Sequence, residues 1–376
     1  MRILLLGEYS NVHWTLAEEL RQLGHEVTVV SNGDFWKNYP RDINLSRTYT
    51  KLGGISYMIK LYSLLPRLRG YDVVQIINPI FLEIKAQHIL PIYKYLRKHN
   101  KKMFLAAYGM DYYWVHTCCT AMPLRYSDFN MGRELRNTKD ALKERKDWIG
   151  TDKQWLNEYI AHDCDGIIAG LYEYWACYQP LFPNKTTFIP FPIKCIHTKN
   201  KANTLSIYSK IKLFIGINKE RSEYKGTDIM LSAAQAIAKK YPAKVELRIA
   251  ESVPFSQYKE MMNGADVILD QLYSYTPAMN ALEAMSKGII CIGGGEPENY
   301  AILHEPLLRP IINVEPNEES VYYELEQLIQ HPERIVLLKQ DSIRYIKKHH
   351  DDAKVAHQYI DFYQKSLWVD VKKSKN

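Results

Sequence analysis

The sequence predicts an α/β protein made of two doubly wound domains that face each other across a cleft. Three observations carry this expectation. Short apolar runs alternate with helix-length segments from residue 2 to 190, and the same rhythm returns from 211 to 330. The runs are apolar throughout, as strands of a parallel sheet covered on both faces are. Between the two series, residues 195–210 (CIHTKNKANTLSIYSK) follow PFP at 190–192 and hold no clean period, which marks a domain boundary. The expected organisation is a Rossmann-like domain over 1–194, a linker over 195–210, a second Rossmann-like domain over 211–350 and a helical segment over 351–376.

In the first domain, RILLL at 2–6 reads as a strand, 13–23 as a helix stopped by Gly24-His25, and EVTVVS at 26–31 as a second strand. Residues 55–69 read as a helix holding Pro66, Asp72–Ile77 as a strand, 81–99 as a helix kinked near Pro91, and KMFLAA at 102–107 as a strand. The stretch 111–150 opens with aromatics and turns strongly charged in RELRNTKDALKERKDW, an exposed helix or an excursion over a cleft. A helix at 152–163 and strands at 166–169 and 186–190 complete this half. The second domain reads as strand 211–216, helix 226–240, strand 244–250, helix 255–263, strand 266–270, helix 277–287, strand 289–292, strand 310–313 and helix 317–330. Charged helices follow to the end.

Composition excludes several classes. With 46% hydrophobic and 24% charged residues the chain fills ordinary cores, so wholesale disorder is excluded. No apolar run reaches about 18 residues, which argues against a spanning helix, and the start reads as a first strand rather than a signal peptide. Six cysteines at 118, 119, 164, 177, 195 and 291 form neither a zinc pattern nor a disulfide framework, so a reduced, cytoplasmic, metal-free protein is expected. The 49 Lys and Arg against 42 Asp and Glu give +7, which fits an anionic partner. The basic residues are dispersed and no nucleic-acid reading motif exists, so nucleic acid is not the expected one.

Two segments carry the chemistry. In FIGINKERSEYKGTD (214–228) a strand ends at Gly216, a polar loop brings Lys219, Arg221 and Lys225, and Gly226 opens the next helix. A helix N-terminus beyond a strand's carboxyl end favours an anion, and two of those cations can clamp a diphosphate. The bland alternative is a solvated charge run that includes Glu220 and Glu223. In LDQLYSYTPAMNALEAMSKG (269–288) a helix is expected near Pro277, with the amides of Ala278, Met279 and Asn280 open to phosphate oxygens. Glu283, nearly two turns in, accepts hydrogen bonds from a ribose diol or is simply a surface carboxylate.

Gly216…Lys225-Gly226 together with Glu283-Ala284-Met285-Ser286-Lys287-Gly288 resemble the donor half of GT-B glycosyltransferases, in particular the retaining family 4 (glycosyl transferases group 1) enzymes. The resemblance implies a donor diphosphate held by the first segment and a ribose contact from Glu283. It further implies no cofactor, no metal, and a final helix that crosses back to the first domain. Tyr275 stands where that family's pattern has its first Glu, the carboxylate that reaches toward the transferred sugar, so the resemblance puts Tyr275 among the donor-binding residues; Ile217 stands where an Arg usually follows the strand glycine. Lys219 or Arg221 would then supply the second positive charge, Arg221 by preference because its fork fits two phosphate oxygens.

On the first domain, the loop Gly7-Glu8-Tyr9-Ser10-Asn11 is similar to the glycine-containing loop that faces donor phosphates or acceptor in such enzymes, and His13 at the following helix start either binds an acceptor or anion or is a surface residue beside the helix cap. AAYGMDYYWVH (106–116) brings Asp111 and His116 toward the expected cleft, where Asp111 orients an acceptor hydroxyl and Tyr112, Tyr113 and Trp114 stack on sugar; a turn cap and domain packing are the bland counterparts. Glu296 and Glu298 face sugar or base, or decorate a turn. The implied reaction moves a sugar, with retention, from a nucleotide diphosphate sugar to a glycan or lipid-linked acceptor. Asp111, Arg221 and Lys225 are its catalytic candidates, and contact with an anionic membrane is expected to be peripheral. The competing readings are an epimerase or hydrolase of the same architecture, and a catalytically degenerate binding protein.

Overall fold

The computed structural model describes residues 1–195, 210–218 and 222–373. The elements of the first domain are, in order, β1 (Arg2–Leu6), α1 (Val12–Gln22), β2 (Glu26–Ser31), β3 (Ile43–Asn44), α2 (Lys51–Leu64), β4 (Val73–Ile76), α3 (Ala86–His99) and β5 (Lys102–Ala107). They continue with α4 (Tyr112–Thr120), β6 (Asn130–Met131), β7 (Glu134–Leu135), α5 (Lys139–Trp148), α6 (Asp152–Asp163), β8 (Gly166–Ala169), α7 (Tyr172–Tyr178) and β9 (Thr186–Phe188). The second domain follows with β10 (Ile211–Ile217), α8 (Ser222–Lys225), α9 (Thr227–Lys240), β11 (Val245–Glu251), α10 (Phe255–Met262), β12 (Val267–Leu269), α11 (Met279–Ser286), β13 (Ile290–Ile292), α12 (Pro297–Ile302), α13 (Glu318–Gln330) and α14 (Glu333–His349). The last helix is α15 (Asp352–Lys373).

Among the described residues, the first domain holds a seven-stranded sheet in the order β3-β2-β1-β4-β5-β8-β9 and the second a four-stranded sheet in the order β11-β10-β12-β13. Every pairing within these two sheets is parallel, as the continuous apolar runs require. In each sheet β1 or β10 sits inside, with later strands added to either side, so each sheet has a switch point at its carboxyl crest.

Several expected elements shift. α2 starts at Lys51 rather than 55, because the Thr50 hydroxyl caps it by accepting from the Gly53 amide, and it ends at Leu64 before a 3-10 turn that contains Pro66. The expected strand at 310–313 is reduced to a single parallel bridge between Ile292 and Ile312. α4 and α7 fall on aromatic stretches for which no helix is expected from the sequence. α4 buries Tyr112, Tyr113 and Trp114 and α7 buries Tyr174 and Tyr178, so aromatic residues replace the alternation of apolar and polar faces that marks a helix. Of the expected linker, 196–209 lie outside the described residues.

α15 crosses to the first domain. Val355, Ala356, Tyr359, Ile360 and Tyr363 form its buried face. The rings of Phe362 and Tyr363 pack on Phe104 of β5, with centroids 5.5 and 4.8 Å apart. A buried polar chain runs inward from this helix. The Tyr363 hydroxyl donates to Gln75 Oε1 at 2.6 Å, Gln75 Nε2 reaches His13 Nε2 at 3.0 Å, and His13 Nδ1 meets the Gly7 carbonyl at 2.8 Å. The carbonyl can only accept, so Nδ1 carries the proton and Nε2 accepts from Gln75. His13 is therefore a neutral core residue, its pKa pushed down to about 4 by burial, and neither the surface cap nor the ligand contact the sequence offers. We predict that Tyr363→Ala lowers unfolding free energy by about 3–5 kcal/mol in urea titrations. A loss below about 1 kcal/mol would show that α15 is not part of the first domain's core.

Candidate functional site

The crests of both sheets meet at the domain interface. On the second domain, β10 ends at Ile217; Lys219 and Arg221 lie outside the described residues. α8 closes with Lys225, and Gly226 takes a left-handed conformation (φ 69°) before α9. A β-carbon at Gly226 would stand 2.6 Å from that of Leu272, so only glycine lets the two loops touch. They are joined where the Leu272 amide donates to the Lys225 carbonyl at 2.8 Å. Gly216 is instead pressed under the ring of Tyr258 from α10, where an added β-carbon would sit 2.4 Å from the ring. Its role is close packing of α10 on the strand.

α11 starts at Met279, two residues later than Pro277 predicts. Ala278 is its N-cap and makes no side-chain capping bond, so Met279 and Asn280 open a helix end that Ala278 does not cap. Asn280 donates to Tyr258 Oη at 2.7 Å and to Asp270 Oδ1 at 3.1 Å, which fixes its side chain toward α10. Glu283 is half-buried between Lys287 at 3.2 Å and Lys259 at 3.4 Å. Lys259 lies over the Phe255 ring, and Phe255 packs on Trp36 and Tyr39 of the first domain. Glu283 thus sits on the edge of α11 that looks toward the other domain.

Tyr275 corrects an expectation. It is buried rather than turned to a donor: its hydroxyl accepts from the Arg125 amide at 2.6 Å, and its ring packs on Tyr126 and Tyr172. Around it the domains are clasped twice. Glu173 of α7 accepts from the Tyr275 amide at 2.6 Å, from the Thr276 amide at 3.1 Å and from the Thr276 hydroxyl. Arg125 grips Glu298 through both terminal nitrogens, at 2.6 and 3.2 Å, and also pairs with Glu296, which accepts from the Tyr126 hydroxyl as well. Glu296 and Glu298 therefore hold the domains together. The charged excursion after α4 does lie over the second domain: Arg136 donates to the Glu223 carbonyl at 2.8 Å and covers the Tyr273 ring at 3.6 Å.

Asp111 is also corrected. It is fully buried and caps α4, Oδ1 accepting from the Trp114 amide and Oδ2 from the Tyr178 hydroxyl, both at 2.8 Å. Burial pushes its pKa up to about 7. With both oxygens engaged inside the domain it touches no acceptor; it fixes α4 against α7. Tyr112, Tyr113 and Trp114 are buried packing residues, and His116 stacks on Tyr112.

Besides Arg125, two residues outside the sequence candidates come forward. Glu173 is one; a lone acid in an aromatic run just beyond β8 was its only signal. Asp128 is the other: it lines an interdomain crevice of about 70 Å³ with Glu173, Tyr224, Tyr273 and Ser274, and burial raises its pKa to about 6. A larger cavity of about 440 Å³ opens at the crest of the first domain, between Gly7, Glu8, Tyr9, Ile77, Ile80 and the foot of α2. Gly7, at φ 84°, is needed there because a β-carbon would stand 2.3 Å from Ile77.

No family model and no curated protein matches the chain. Solved structures do. Sucrose-phosphate synthase from Thermosynechococcus elongatus aligns over 98% of this chain and 100% of its own with a TM-score of 0.65 at 14% identity. The fold is GT-B. HepE from Anabaena, solved with UDP-glucose, aligns over 97% of this chain and 100% of its own (TM-score 0.60, 10% identity). WaaG, a glycosyltransferase involved in lipopolysaccharide biosynthesis, covers 95% of this chain and 98% of its own (TM-score 0.52, 14% identity).

Glu173→Ala leaves two buried amides and a hydroxyl without their acceptor, so the radius of gyration in small-angle scattering should rise and stability should fall by about 1–3 kcal/mol. An unchanged scattering curve would remove the clasp. Glu8, which accepts from the His13 and Trp14 amides, has its pKa raised to about 8 by burial. The folded state therefore keeps a proton that the unfolded chain loses near pH 4.5. Stability from this group is full below that pH and declines by about 1.4 kcal/mol per unit up to pH 8. Glu8→Gln should flatten thermal midpoint against pH between 5 and 8, and an unaltered slope would contradict the assignment.

Proposed function

We propose that the protein transfers a sugar from a nucleotide diphosphate sugar to a hydroxyl of a glycan or lipid-linked acceptor. The observation that carries this reading is the contact between Lys225-Gly226 and Leu272, which sets the cationic loop beside the segment leading to the α11 N-terminus. HepE, which shares the fold, is solved in complex with UDP-glucose, which supports this reading. The donor diphosphate would lie between Lys225 and the amides of Met279 and Asn280, with Arg221 as the further cation. The ribose would meet Glu283 once Lys259 or Lys287 yields one of its oxygens. Negative charge grows on the diphosphate as the glycosidic bond breaks, and fixed cations and helix amides stabilise it without reorganising. Departure and attack on one face of the sugar would retain its configuration. The acceptor would enter from the first-domain crest, where Glu8 and Tyr9 wall the 440 Å³ cavity. The charge stabilisation in this reading comes from protein groups rather than a metal.

One observation favours a second reading, a binding protein without turnover: Tyr275 is committed to the domain clasp where the family pattern has a donor-facing carboxylate. Product analysis separates the two. With a panel of UDP-sugars and glycan acceptors, transfer to acceptor supports the enzyme, and saturable donor binding without product supports the binder. For the enzyme, Lys225→Ala should lower kcat roughly 100-fold, and Glu283→Ala should raise the donor KM about tenfold. Both variants should melt like the parent; parental kinetics in both would contradict the site.

A further inference from the structure

We propose that the outer face of α2 is a docking surface for an anionic lipid bilayer. The helix is apolar on two opposite sides. Tyr57, Leu61 and Leu64 face the core, while Leu52, Ile55, Ile59 and Tyr62 recur at helical spacing with 80, 59, 67 and 52% of their surface exposed. A helix apolar on both sides is normally buried on both, yet nothing in the described chain covers this one. Such a stripe needs a partner that is itself apolar.

Charge identifies that partner. From residue 43 to 71 the chain has no Asp or Glu, although 42 of its residues are acidic overall, and it carries Arg47, Lys51, Lys60, Arg67 and Arg69. Lys51, Lys60, Arg67 and Arg69 are exposed. By helical geometry Lys51 and Lys60 fall on either side of the apolar stripe, and Arg67 and Arg69 extend it past the helix end. Apolar side chains flanked by cations suit a helix lying in the headgroup plane of an anionic membrane. A second copy of this chain is disfavoured, since symmetric pairing of two such faces would oppose like charges. The inner side of the same helix supplies Tyr57 to the wall of the 440 Å³ cavity, so a bilayer on α2 would be separated from that cavity by the helix alone. Among the described residues no helix is long and apolar enough to cross a membrane, so this contact is peripheral.

The proposal makes no use of the sugar-transfer reading, and its test needs neither donor nor acceptor. Full-length protein is sedimented with vesicles of phosphatidylcholine alone or with 30% phosphatidylglycerol. We expect at least about tenfold stronger partitioning to the anionic vesicles, weakened by added salt. Leu52→Ser with Ile55→Ser and Ile59→Ser should reduce it at least tenfold, and so should Lys51→Glu with Arg67→Glu and Arg69→Glu. Leu307→Ser, an equally exposed apolar position on the second domain (89%), should leave it unchanged. The charge variant keeps the test decisive if the serine variant misfolds. Equal binding to both vesicles, parental binding by the charge variant, or no vesicle binding together with an α2-dependent dimer in sedimentation velocity would each overturn it.

Discussion

The Glu173 carboxylate is the interaction on which the arrangement of the two domains turns. It comes from α7 of the first domain, is almost wholly buried, and receives two backbone amides and a hydroxyl from residues 275–276 of the second. A buried carboxylate without donors is costly, and here the donors come from the loop that leads into α11. The bond therefore does two things at once. It holds the domains against each other, and it sets the backbone just ahead of the helix end on which the proposed donor site depends. Arg125 with Glu296 and Glu298 repeats the pattern on the neighbouring loop, with an exposed guanidinium and one buried acid.

Much of the fold was legible because parallel strands buried on both faces advertise themselves as short, unbroken apolar runs; RILLL and KMFLAA are found where they are expected. The helices at 112–120 and 172–178 were not legible. Their aromatic side chains pack on all sides, so the polar stripe that signals a helix is missing. Gly226 was legible as the residue that opens α9, but its reason, a left-handed turn with no room for a β-carbon, comes only from the packing of Leu272 against it. Asp111 and His13 were misjudged because sequence shows that a polar group follows a strand, not whether its bonding partners come from within the domain. Tyr178 and Gln75, which engage them, are 67 and 62 positions away. Glu173 and Arg125 were missed for the same reason, since each acquires its meaning only from a partner on the other domain.

The two halves present different chemistry to their shared interface. The second domain offers a lysine, a tight glycine turn and an uncapped helix end, a set that favours phosphate. The first offers an apolar and tyrosine-rich cavity with one buried acid, roofed by a helix whose outer side is apolar and ringed by cations. A charged soluble donor on one side and an acceptor delivered from a lipid surface on the other would meet across the clasp.

Hydrogen–deuterium exchange of the unmodified protein with and without UDP tests the central claim most directly. The account predicts simultaneous protection of the amides of 222–228 and 278–283, because one diphosphate bridges them. Protection confined to the first domain, or to only one of the two segments, would contradict it.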